Sequence, residues 1–395
     1  MHRNAPLVKP FKVDLSKEVP RMLKLVRDTR LPDKPEYPGL GSSLGIDLDV
    51  LKGLKDKWLR GFDWKKEEDA INKFKHFTAK IEGLDIHFIH EKSDDPTAIP
   101  LLLNHGWPGS FLEFAPLIKP LTLKQNTSTG KPVSFHVIVP SLPGYAFSTP
   151  PPANWTADDT ARVYNTLMTE VLGYKTFATH GTDWGSAISY SLYDNFNSSV
   201  RAAHFAFIPF FPLGPDQLAA ENITLSPLEQ FEANRVVEWG TTGNGYFVLQ
   251  STKPNTIGLA LHDNPVGQLA WIGEKIIEWS DPRAGTAPSV LDHTEILRTV
   301  SLYYLTGSIV SSMFIYAQNL NGFKTTYAKA KTDAPMLFSA FKYNPGFWPP
   351  AKVEQVGNLV QYRNHEFGGH FPGVDNPVAM LEDLREIGTY WPNFM

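Results

Sequence analysis

The residues best suited to chemistry lie in Gly181-Thr182-Asp183-Trp184-Gly185-Ser186. Small residues on both sides of a central acidic one let the backbone turn sharply between a strand and a helix, lifting that side chain to the top of the sheet. The side chain here is a carboxylate rather than a hydroxyl, and this decides the chemistry. Carboxylates are ionised at neutral pH and need no activating base. Such a group attacks saturated carbon and becomes an alkyl ester, which water must then cleave at the ester carbonyl. The plainer alternative, an Asp183 that only caps the following helix, loses ground once its partners are counted.

Those partners are an oxyanion hole and a base. In His105-Gly106-Trp107-Pro108 the backbone N–H of Trp107, together with that of Trp184, is expected to hold the oxyanion of ester hydrolysis. A purely structural turn accounts for Pro108 but not for the placement of this motif ahead of the Asp183 turn. His370, in Gly368-Gly369-His370-Phe371, is the expected base for water. It follows the nucleophile in chain order. His365 is the rival, but the paired glycines let the chain turn toward the site at His370. There are 12 histidines, so most must be structural.

Positioning these side chains requires a particular set of elements. Ile99 to Leu103, Phe135 to Val139, Thr176 to Thr179 and Ala202 to Ile208 read as short apolar strands with helices between them, which predicts a mostly parallel sheet covered on both faces. Before them, Lys17 to Val26 and Leu51 to Phe74 show helical spacing, with Ser16 as a candidate cap. Glu82-Gly83 between two alternating runs signals a hairpin. From about Phe211 to Ala330 the strand rhythm stops and helical patterns take over. Strands return at Pro335 to Phe341 and Leu359 to Tyr362. A closing helix starts at Pro377, capped by Asp375 or Asn376, with Met380, Leu384 and Ile387 inward. A helical insertion in one α/β domain, placed above the strand ends, would cover the site.

Bulk properties narrow the classes further. With 42% hydrophobic and 20% charged residues the chain can bury a sizeable core. A net charge of −4 argues against nucleic acid or an anionic membrane as partner. The absence of cysteine excludes disulfides, thiol nucleophiles and cysteine metal sites. Met1 to Pro6 lacks the apolar run of a secretory leader, and no stretch approaches 18 apolar residues. A cytoplasmic protein without a membrane anchor is therefore expected, and the four Asn-x-Ser/Thr sequons at Asn126, Asn154, Asn197 and Asn222 carry no weight without a leader.

The motifs resemble those of the microsomal-type epoxide hydrolases, including soluble fungal members, over nearly the whole chain. The likeness takes in Pro10-Phe11 through Asp33, the Trp58 to Trp64 region, the His105 and Asp183 motifs, Ser251 to Gly258, Ala270 to Lys275 and Gly368 to Phe371. It implies an α/β-hydrolase fold: a mostly parallel central sheet flanked by helices, with an inserted helical cap and an N-terminal helical extension. The corresponding division is 1–95 extension, 96–212 and 331–395 core, and 213–330 cap. The implied reaction converts an epoxide and water to a vicinal diol with no metal or organic cofactor, and a homodimer is compatible with it. Two cap tyrosines are implied as donors to the epoxide oxygen, matched here by Tyr246 and Tyr316, with Tyr303 and Tyr304 as competitors for the second. Because phenols must be protonated to donate, activity is expected to fall at high pH.

One position departs from the family pattern. The residue that orients the histidine should be a carboxylate, yet the alignment of Pro335 to Phe341 puts Asn344 there, 26 residues before His370 (370 − 344 = 26). An amide accepts from the imidazole N–H but does not balance an imidazolium, and in a serine protease the Asp-to-Asn change lowers the rate about 10⁴-fold. Asp333 and Glu354 are the nearest carboxylates in sequence that could compensate. Two other readings stay open. A haloalkane dehalogenase uses the same Asp-Trp turn, but its leaving halide wants tryptophan N–H donors where an epoxide oxygen wants a proton. A slow-turnover binding protein of the same fold would fit Asn344.

Overall fold

Runs such as Ile99–Asn104 and Phe135–Pro140, apolar at nearly every position, suit strands with both faces covered, and they form the middle of the sheet. The computed structural model describes residues 8–391; the remaining residues, including the Met1 to Pro6 start discussed above, lie outside the described part. In chain order the strands are β1 (Val8–Phe11), β2 (His76–Ile81), β3 (Leu84–Glu91), β4 (Ile99–Asn104), β5 (Gln125–Asn126), β6 (Pro132–Val133), β7 (Phe135–Pro140), β8 (Phe177–Gly181), β9 (Val200–Phe205), β10 (Pro335–Phe341) and β11 (Asn358–His365). Nine of them make one sheet, ordered β1-β2-β3-β7-β4-β8-β9-β10-β11, while β5 and β6 pair separately. From β7 to β11 neighbours run parallel, and β1 to β3 add an antiparallel edge.

Strand order reverses at β4, which has β7 on one side and β8 on the other. The loops leaving the carboxyl ends of β4 and β8 therefore frame a crevice, the usual ligand position in such sheets. These are the loops that carry Trp107 and Asp183. The hairpin between β2 and β3 turns on Glu82 and Gly83, both at positive φ (49° and 88°), as a two-residue hairpin turn of this type requires.

Between β9 and β10 the chain passes through α-helices running from Pro215–Ala220 to Ile309–Gln318. Its entry and exit lie side by side: Phe211 N–H donates to the Lys324 carbonyl and Lys324 N–H to that of Pro209, each at 2.9 Å. The N-terminal helices Val19–Asp28 and Leu48–Arg60 buttress this insertion, with Trp58 Nε1 donating to Ser301 Oγ at 3.0 Å.

Two local expectations are corrected, and the choice between two caps is resolved. Ser16 does not cap the first helix; its hydroxyl donates to Glu68 Oε1, and Glu18 stands at the cap position without a side-chain bond. The stretch 51–74 is two helices, Leu48–Arg60 and Trp64–Ile71, because Asp63 accepts from Lys65 N–H and starts a second one. The closing helix Pro377–Arg385 is capped by Asn376, which accepts from Ala379 N–H, whereas Asp375 is buried and engaged elsewhere.

Candidate active site

The turn at Asp183 is tight because three glycines make it so. A Cβ on Gly185 would lie 2.0 Å from the Asn104 carbonyl oxygen, one on Gly181 2.4 Å from the Gly185 oxygen, and one on Gly106 2.2 Å from Asp183 Oδ1. Asp183 itself has φ 47°, a left-handed conformation that an L residue adopts only when its surroundings hold it there. Beneath the turn, the buried Asn104 side chain donates to Thr179 Oγ1 and Ser189 Oγ and fastens β4 to β8 and to the helix Asp183–Asn195.

The two carboxylate oxygens have different environments. Oδ1 accepts from Trp107 N–H at 2.8 Å. Trp184 N–H belongs to the first turn of the helix, where no preceding carbonyl is available to it, and it lies on the same side of Gly106. Oδ2 stands 3.3 Å from His370 Nε2, without the alignment of a hydrogen bond.

His370 is oriented by Asn344, whose Oδ1 is 2.9 Å from Nδ1. The direction of that amide follows from its other bonds: Nδ2 donates to the Ala206 carbonyl at 3.1 Å, and Oδ1 also accepts from Gly346 N–H. A carbonyl only accepts and a backbone N–H only donates, so Oδ1 must face the ring and Nδ1 carries the proton. In the neutral ring this leaves Nε2 as the acceptor nitrogen, turned toward Asp183. No hydrogen bond or ion pair joins Asp333 or Glu354 to His370, and both are exposed. His365 is committed elsewhere, with Nε2 2.7 Å from Asp383 Oδ2.

Tyr246 and Tyr316 come together over Asp183. The Tyr246 ring stacks on Trp107 at 5.4 Å, and Tyr316 meets Trp184 edge-on at 5.0 Å. The Tyr316 hydroxyl is buried and has no hydrogen-bond partner among the described residues. Burial, then neighbouring groups including Asp183, hold both phenols well above the ordinary tyrosine range. Of the competitors, Tyr303 donates to the Gly109 carbonyl at 2.8 Å and Tyr304 to Asp263 at 2.9 Å, so neither hydroxyl is free. Asp183, His370 and the two tyrosines line one pocket, its walls completed by aromatic rings including Phe207, Trp239 and Phe323.

Trp279 and Asp281 left no mark in the sequence reading. Trp279, in the insertion, accepts His370 N–H on its carbonyl at 2.7 Å and packs its ring edge-on against the imidazole at 5.1 Å. Gly369 is a glycine because a Cβ there would sit 2.2 Å from that same carbonyl oxygen. Asp281 accepts from Gly368 N–H, and Asp375 from Asp281 N–H and Ser289 Oγ; burial pushes the Asp375 carboxyl up to about 6. These links between the insertion and the histidine loop join residues about 90 positions apart, and no local pattern announces them.

Comparison with known proteins agrees with the geometry. The family described as "Epoxide hydrolase N terminus" matches residues 8–114, and that described as "alpha/beta hydrolase fold" matches residues 99–241. Epoxide hydrolase 1 of Sus scrofa is 33% identical over 96% of this chain and 88% of its own length. Juvenile hormone epoxide hydrolase 2 of Ctenocephalides felis is 30% identical over 95% of this chain and 84% of its own. Among solved structures, Aspergillus niger epoxide hydrolase superposes with a TM-score of 0.83 at 32% identity, covering 98% of this chain and 97% of that one. Juvenile hormone epoxide hydrolase from the silkworm Bombyx mori gives 0.86 at 27% identity, covering 98% and 95%.

Proposed function

The chain belongs to the epoxide hydrolase family and is an epoxide hydrolase, and from that premise we propose that it works in two steps with Asp183 as nucleophile and His370 as base. The observation that carries this reading is the division of labour at Asp183. Oδ1 is tied to Trp107 N–H, while Oδ2 is turned to the imidazole and the pocket. Oδ2 attacks the less hindered epoxide carbon, and the ring C–O bond breaks toward the oxygen. Tyr246 and Tyr316 donate to that oxygen as it becomes an alkoxide, and one phenol proton completes the alcohol.

In the second step Nε2 of His370 takes a proton from water, and the water oxygen adds to the ester carbonyl. The charge that develops on Oδ1 is held by the N–H groups of Trp107 and Trp184. The acyl C–O bond then breaks, and the proton of the added hydroxyl passes to the leaving oxygen to complete the diol. Asp183 is regenerated with one oxygen from water, and the proton held by His370 returns to the tyrosine that gave one up. Asn344 keeps the proton on Nδ1, so that Nε2 is free to act. Residues 213–330 serve as a cap that supplies both tyrosines and excludes bulk water, over a core of 96–212 and 331–395 joined by the extension 1–95. The Tyr316 hydroxyl, buried without a hydrogen-bond partner among the described residues, is free to donate to an epoxide oxygen.

The test is one turnover of styrene oxide in ¹⁸O-water, with wild type, Asp183→Asn and His370→Gln. The expected result is label in the Asp183 carboxylate before the diol, ester accumulation in His370→Gln, and no turnover in Asp183→Asn. Label entering the diol directly would sink the two-step reading.

A further inference from the structure

Glu113 lies in the single turn Phe111–Phe114 that follows the Trp107 loop. Its side chain is buried, and Oε1 has no hydrogen-bond partner among the described residues. The carboxyl lies under Gly109, where a Cβ would fall 2.7 Å from Oε2. Its main chain touches the histidine loop, since a Cβ on Gly373 would be 2.4 Å from the Glu113 carbonyl oxygen. The carboxyl also faces a small cavity lined in part by Ser110, Glu295, Thr299 and Phe371. One buried acid therefore packs against both loops used in ester hydrolysis.

We propose that Glu113 is a positioning residue for the second half-reaction, its buried carboxyl braced between the Trp107 turn and the His370 loop. This inference rests on the two-step reading above. The groups around it favour the neutral form. Asp183 faces it from the elbow helix, and Tyr303 and Glu295 face it from the helix His293–Thr306; Asp375, on the histidine loop, is engaged with Asp281 and Ser289. Arg298, on the same helix as Glu295, is paired with Glu67 and Glu295. Burial first, and the charge of Asp183 second, push the Glu113 carboxyl well above the ordinary range. The two half-reactions respond oppositely to charge at this position. Ester formation consumes the negative charge of Asp183, but ester hydrolysis builds new negative charge on Oδ1, and a like charge behind the Trp107 turn would oppose it.

Rapid-quench mass spectrometry with styrene oxide, following formation and decay of the Asp183 ester separately, tests the proposal. Glu113→Ala is expected to slow ester decay about tenfold or more while formation stays within about threefold, the effect of a displaced oxyanion donor. Glu113→Gln, neutral and of the same size, is expected to restore most of the decay rate. A protonated-carboxyl stretch in the wild-type minus Glu113→Gln infrared difference at neutral pH, where the bands of other buried acids cancel, reports the charge state without reference to activity. Equal slowing of both steps, no rescue by glutamine, or no such band would each overturn the inference. Should wild type form no ester at all, the Asp183 reading falls instead, and the infrared band still decides the state of Glu113.

Discussion

At the residue scale the informative position is Asn344, where two effects compete. A carboxylate there would accept from Nδ1 and balance the imidazolium formed during ester hydrolysis, a change that in the reverse direction lowers a protease rate about 10⁴-fold. But the Asn344 Nδ2 now donates to the Ala206 carbonyl at 3.1 Å, and an Asp oxygen in that place would set two acceptors against each other. Asn344→Asp is therefore expected to speed ester decay about tenfold, far less than the protease case, and to lower stability by about 1–2 kcal/mol. Single-turnover decay and urea denaturation measure the two terms separately. Asn344→Leu removes the acceptor altogether and should slow decay by about 10² or more. The tyrosines act on the other half-reaction. Tyr246→Phe or Tyr316→Phe is expected to slow ester formation about 10²-fold and leave decay within a few-fold, as loss of one donor to a developing oxyanion does. Their burial also narrows the pH expectation. Because both phenols are raised well above the ordinary range, they stay protonated through it, and the alkaline fall of ester formation should begin above pH 10 rather than near it. A fall centred at or below about pH 10 in a stopped-flow pH series would contradict this.

At the scale of elements, the elbow is a place where three backbones meet too closely for a β-carbon. Gly185→Ala brings a methyl group to within 2.0 Å of the Asn104 oxygen, a backbone atom that cannot step aside. The substitution is expected to cost about 3 kcal/mol or more. Gly240→Ala, which meets nothing within 4 Å, should change stability by less than about 0.5 kcal/mol. Urea midpoints of the two variants make the comparison, and equal midpoints would refute the packing argument. This contrast also explains what was legible in the sequence. Gly181, Asp183 and Gly185 constrain one another within five residues, so their spacing alone describes the turn. The same holds for the Glu82-Gly83 hairpin and the buried runs of β4 and β7. The helix break at Asp63 was missed because apolar spacing continues across it while the cap bond to Lys65 N–H changes the chain direction. Trp279 and Glu113 were missed for another reason. Their roles come from what the fold packs against them, and a tryptophan after a helix or a lone glutamate among aromatics says nothing of that locally.

At the scale of the whole molecule, the insertion and the core meet through charged groups that were buried in the process. Glu232, on the helix Pro227–Glu238, accepts from Asn364 of β11 at 2.8 Å through Oε2, while Oε1 is buried without a partner. Burial first, then Glu229 and Glu366, push this carboxyl from 4.5 up to about 8, against the opposing bond from Asn364. The sign of the linkage follows. Between those two values the folded chain holds a proton that the unfolded chain has lost, so stability decreases as pH rises through this window. The full shift corresponds to about 5 kcal/mol at most, and relaxation of a site at the seam between two parts of the fold will reduce it to about 2 kcal/mol. Glu232→Gln keeps the bond geometry and never ionises. It is expected to match wild type in urea denaturation at pH 4.5 and to exceed it by about 2 kcal/mol at pH 8.5. Since Glu232 touches none of the residues assigned to chemistry, ester formation and decay should not change with that gain. A stability difference between variant and wild type that is the same at both pH values would mean that Glu232 is already ionised in the fold, and the seam between insertion and core would then have to hold its charge by a partner other than Asn364.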